Sequence, residues 1–148
     1  DDLTIMSPFI IQNIVRWTDY NEYEGQLEGS FNQYPLTVYV RMYSGNDWAY
    51  YAAGDQVDAR LWLERSGTVE RIAGPVTPAL RQQKEVYYEA IGQVMSIEGE
   101  QVQLNSVFPL RVDMDWPVKG REQFPVFGVG DWLKVVGVLR LSLDDEEE

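Results

Sequence analysis

The 148-residue chain contains no histidine and no cysteine. Without them there is no Ser-His-Asp or Cys-His nucleophile system, no zinc site built on imidazole or thiolate, and no disulfide framework. Ser-x-x-Lys, Gly-x-Ser-x-Gly and Walker phosphate-loop patterns are missing as well. No apolar run approaches the roughly 18 residues of a membrane span; Val135 to Leu139 is typical of the longest. No Asn-x-Ser/Thr sequon occurs. The chain begins at Asp1, which leaves both a cytoplasmic protein and a secreted one freed of its leader open. Basic residues are scarce in the first part: residues 1–59 carry Arg16 and Arg41 against nine acids. Residues 60–143 carry ten of each sign, and the run 144–148 adds five acids, for a net charge of −12. That run reads as a solvated acidic tail.

What is present argues for strands. Apolar residues make up 45% and aromatics 13%, enough for one core in a single domain over 1–143. Two phrases echo each other: Tyr51 to Glu64, "YAAGDQVDARLWLE", and Phe127 to Arg140, "FGVGDWLKVVGVLR". After each Gly-Asp the apolar residues alternate: Val57, Ala59, Leu61 and Leu63 in the first, Leu133, Val135, Leu139 and Leu141 in the second. A period of two marks strands, and Gly-Asp marks the turn that feeds them. Gly137 interrupts the second run, the mark of a bend or bulge. The echo offers two readings: two similar halves, 5–72 and 76–143, or two hairpin endings made alike by turn chemistry alone. Further strands are expected over Pro35–Tyr43 and in a hairpin turning at Glu98-Gly99-Glu100, with a third strand to Met114. One or two short helices are expected, over Ser7–Trp17 and Thr77–Glu85, since each opens with a Ser/Thr cap followed by proline. Ser66–Pro78 reads as a connection between halves.

The second half, about residues 88–141, resembles an OB-fold module. The resemblance rests on Gly92-Gln93-Val94, the hairpin through Gly99, the strand to Met114, and Gly130-Asp131-Trp132-Leu133-Lys134-Val135-Val136-Gly137-Val138-Leu139. It implies a small five-stranded antiparallel Greek-key barrel, closed or partly open, that binds single-stranded nucleic acid, sugar or protein on one face. It carries over no catalytic residue, and fold does not dictate function.

The reading of the residues is a non-enzymatic binding module without cofactor. Asp113 and Asp115 are too few oxygens for a hard cation, so no metal is expected. The binding candidates are Tyr43, Trp48, Tyr50, Tyr51, Trp62, Trp17, Tyr20 and Tyr23, rings interleaved with acids. An acidic, aromatic face suits a basic protein partner or a second copy of the chain, with single-stranded nucleic acid and carbohydrate as the alternatives. Arg111, Lys119, Arg121, Lys134 and Arg140 are the cations a nucleic-acid groove would draw on.

Overall fold

The computed structural model describes residues 6–115 and 125–143; Lys119, Arg121 and the acidic run 144–148 lie outside the described residues. Nine strands follow in chain order: β1 (Met6–Arg16), β2 (Glu24–Phe31), β3 (Tyr34–Arg41), β4 (Gln56–Ile72), β5 (Ala79–Lys84), β6 (Tyr87–Glu98), β7 (Gln101–Asn105), β8 (Pro109–Asp113) and β9 (Trp132–Ser142). They make one mostly antiparallel sheet that rings round, in the order β1-β2-β3-β9-β4-β8-β7-β6-β5, with β1–β4 and β6–β9 pairing as well. The fold is all-β and barrel-like, as the alternation predicts. Those extra pairings create two five-strand circuits, β1-β2-β3-β9-β4 and β6-β7-β8-β4-β9, which share the β4–β9 ribbon.

The register explains why one phrase is written twice. Phe9 lies opposite Val57 where β1 meets β4, and Gly92 lies opposite Leu133 where β6 meets β9. A register shift follows Ile11 in β1 and Val94 in β6. Gly54 donates its N–H to the Ile11 carbonyl at 2.7 Å, and Ile11 returns one to the Asp55 carbonyl at 2.8 Å. Gly130, Val94 and Asp131 repeat that exchange, at 2.8 Å in both directions. Both glycines hold φ of 97°, a conformation that costs glycine little. Each aspartate carboxylate accepts an N–H from three residues back, Ala52 at 2.9 Å and Gly128 at 2.8 Å. Gly-Asp is thus the same turn made once per circuit, and it launches the strand that the circuits share. Between the two turns, Leu63 faces Leu139 across the ribbon, both fully buried.

One core serves both circuits. Ala59, Leu61 and Leu63 of β4 and Leu133, Val135, Leu139 and Leu141 of β9 point into it, joined by Phe9, Ile11, Val38, Val102 and Val112. The Tyr88 hydroxyl accepts the Thr37 N–H at 2.9 Å and so ties β6 to β3 across the core.

Three local expectations are corrected. Ser7–Trp17 is not a helix: β1 pairs with β2 along one edge and β4 along the other. Its Ile-Ile and Ile-Val pairs suit a pleated surface, and Phe9 and Ile11 are buried at a strand period, with Ile10 exposed between them. Thr77–Glu85 likewise holds β5, whose Leu80 pairs with Ala90 and packs on the core, so sheet pairing overrides good helix formers. Ser66–Pro78 is not wholly a connection, because β4 runs on to Ile72 after a register shift between Arg65 and Val69. The irregularity expected at Gly137 sits mainly on the facing strand. The one short helix among the described residues is a 3-10 helix, Gly45–Tyr50, outside both stretches expected to be helical. Ser44 caps it: its Oγ accepts the Asn46 N–H at 3.1 Å, and Asp47 accepts the Ser44 N–H at 3.2 Å.

Candidate functional site

With Leu61 and Leu63 turned inward, alternation turns Trp62 and Glu64 outward. The same holds for Arg140 between Leu139 and Leu141, and for Tyr39 between Val38 and Val40. Register then places Tyr39, Arg140, Trp62 and Arg111 side by side on four adjacent strands, β3, β9, β4 and β8. The guanidinium of Arg140 lies 4.7 Å from the Tyr39 ring centre and 5.7 Å from that of Trp62. Arg111 covers Trp62 from the other side at 5.0 Å. Cations over ring faces at such distances are attracted by the ring quadrupole.

Carboxylates hold these arginines. Arg140 Nη1 donates to Glu64 Oε1 at 2.6 Å, and Arg111 donates through Nε and Nη2 to both oxygens of Asp113 at 2.8 Å. Arg41 Nη1 donates to Glu24 Oε2 at 3.1 Å. Glu24 also accepts the Tyr39 hydroxyl on Oε2 and the Asn21 amide on Oε1 at 2.9 Å. The Tyr39 hydrogen bond leads in holding the Glu24 carboxyl below the usual range, with Arg41 and Asn21 assisting against desolvation. Burial first, then the Glu24 hydrogen bond and charge, push the Tyr39 hydroxyl up to about 12.

Beside this row lies an open groove of about 450 Å³ lined by Trp17, Tyr20, Tyr39, Tyr87, Glu64 and Arg140, with Glu24, Glu85 and the aliphatic Val86 and Val138 completing it. Its floor comes from β3, β9 and β4. The loop between β1 and β2 supplies Trp17 and Tyr20, the β5–β6 turn supplies Glu85, and the first residue of β6 supplies Tyr87. Trp17 packs against Tyr39 with centroids 5.6 Å apart, while Tyr20 is 74% exposed. Glu64 and Tyr87 both lie opposite Val138 in register, flanking it from β4 and β6.

The eight aromatic residues singled out from the sequence fall into separate places. Trp17 and Tyr20 line the groove. Tyr23 lies under the Arg41 guanidinium at 5.5 Å, next to the Glu24 cluster. Tyr43, Tyr50 and Tyr51 line a smaller cavity of about 190 Å³ with Asp47, Met42 and Leu141. Trp62 belongs to the four-strand row. Trp48 stands apart: it is 4% exposed, its Nε1 donates to the Glu22 carbonyl at 3.0 Å, and it is a core residue rather than a surface platform. Alternation in "LTVYVR" alone turns Tyr39 away from the core, so its signal was present; Tyr87 and Glu64 reach the groove only through pairing with β9. Asp113 is spent on Arg111, and among the described residues no group of three or more acids could hold a metal ion.

Chemically, the groove offers ring faces and carboxylate acceptors to a guest that is flat or cationic. No family model, curated protein or solved structure matches the chain.

Proposed function

We propose that this protein is a non-enzymatic, OB-type binding module that engages a basic segment of a partner protein in the groove beside Tyr39. The five-strand circuits support the OB reading, since the resemblance implies a barrel of that strand number. One observation carries the functional reading: four aromatic rings and the carboxylates of Glu64 and Glu85 line one groove whose own cation, Arg140, is already neutralised by Glu64. Such a lining attracts added positive charge and gives its apolar stem a surface to lie on.

Single-stranded nucleic acid fits this lining less well. Phosphate-tracking grooves need cations with charge to spare. Arg41, Arg111 and Arg140 each lie within 3.1 Å of a carboxylate that a phosphate would have to displace.

The test is a fluorescence titration at low salt with a lysine- and arginine-rich peptide and, in parallel, oligo-dT. The reading expects quenching by the peptide that fades as salt rises, little response to oligo-dT, and weaker peptide binding in Tyr20→Ala. Tight oligo-dT binding without a peptide response overturns it.

A further inference from the structure

We infer that the groove selects arginine over lysine in its partner, an inference that rests on the basic-partner reading above. The face already treats cations in one way. Arg140 lies over Tyr39, Arg111 over Trp62 and Arg41 over Tyr23, at 4.7, 5.0 and 5.5 Å, each with a carboxylate gripping its edge. This ring-plus-carboxylate arrangement suits a planar, weakly hydrated guanidinium whose N–H groups point outward in its plane. A compact ammonium keeps its water and cannot stack.

The acceptors left in the groove fit a second such guest. Both oxygens of Glu24 are committed, to Asn21, Tyr39 and Arg41. Glu64 spends Oε1 on Arg140, and among the described residues its Oε2 takes no hydrogen bond. The Glu85 carboxylate has no hydrogen bond or ion pair among the described residues either; only its backbone carbonyl accepts, from Gln82 at 2.7 Å. Glu64 and Tyr87 flank Val138 from β4 and β6, and Glu85, two residues before Tyr87, lines the same groove. A guanidinium resting on Val138 and the ring of Tyr87 or Tyr20 can therefore donate to Glu64 Oε2 with one edge and to Glu85 with another. An ammonium placed there reaches the acids but forfeits the stacking.

The experiment uses three acetylated and amidated Gly-Ser peptides of equal length, carrying three arginines, three lysines or three citrullines, titrated against the full chain. The arginine peptide is expected to bind about tenfold more tightly than the lysine peptide, the scale of a partly desolvated cation–π contact. The citrulline peptide, flat but neutral, is expected to lose most of that affinity. Tyr20→Ala, a change at an exposed ring that leaves the fold intact, should narrow the arginine-to-lysine ratio, and Glu85→Gln should weaken both cationic peptides. Equal binding of arginine and lysine peptides through the groove overturns arginine selection and leaves the basic-partner reading standing. Failure of both to bind at low salt removes the two together. Arginine preference untouched by both variants overturns the placement in this groove.

Discussion

Gly137 offers the sharpest test of the shared ribbon. It lies opposite Arg65 on β4 and opposite Tyr88 on β6. A methyl group added there would come 2.8 Å from the Glu64 carbonyl carbon and 2.9 Å from the Arg65 Cα, and nearer still to the Glu64 carbonyl oxygen. Comfortable carbon contacts need about 3.5–4.0 Å, and backbone atoms have no rotamer in which to escape. The strands must part by roughly 1 Å at this rung, at an overpacking cost of about 1–3 kcal/mol. A strained or lost ladder hydrogen bond adds about 1 kcal/mol. Gly137→Ala is thus expected to lose about 2–4 kcal/mol by the same reasoning. Gly99→Ala is the control: its φ is 62° and nothing lies within 4 Å of the new methyl, so only the left-handed backbone is penalised. That penalty is about 1 kcal/mol. Urea unfolding followed by tryptophan fluorescence compares the two variants directly. Gly137→Ala losing no more than Gly99→Ala would refute the close β4–β9 approach.

Other expectations follow from the same geometry. Leu63→Ala, at the centre of the ribbon, should cost about 2–5 kcal/mol and lower a single unfolding transition; separate transitions for the two halves, by hydrogen exchange or fluorescence, would contradict one common core. Tyr88→Phe strips the Thr37 N–H of its partner and should cost about 1–3 kcal/mol in urea unfolding, with little change in circular dichroism. The lowered pKa of Glu24 means that its contribution to stability is present above its ordinary value of 4.5 and is lost as pH falls through its lower folded value, so Glu24→Gln should flatten the acid limb of a stability–pH curve. Tyr39 has the opposite sign: its contribution is intact below pH 10 and lost as pH rises toward about 12; burial raises Tyr88 as well, so absorbance titration should show late-ionising tyrosines of which Tyr39→Phe removes one.

Much of the strand content was legible from alternation. The runs after Gly54-Asp55 and Gly130-Asp131, the hairpin at Gly99 and the strand ending near Met114 all appear where the pattern puts them. Mistakes came where a local signal met a non-local partner. Ser7-Pro8 and Thr77-Pro78 have the form of helix starts, yet β1 is claimed by β2 and β4, and β5 by β6. Trp48 sits among exposed tyrosines in the chain, yet the 3-10 helix rolls its ring inward against Gly25, where an added methyl would strike it at 2.7 Å. The groove was half legible: Trp17 and Tyr20 were singled out for their type and neighbours, whereas Tyr87 and Glu64 carried no local mark.

By itself, then, the order of residues determined the inward and outward faces of the strands, the two Gly-Asp turns and the placing of net charge, because side-chain alternation and turn chemistry act over a few neighbouring residues. Only the tertiary structure decided that β4 and β9 serve both circuits, that Trp48 is sealed inside, and that Trp17, Tyr39, Glu64, Tyr87 and Arg140 meet in one groove. Those outcomes depend on which distant strands pair and in what register, and the energy that selects a register comes from burying the whole inward face at once.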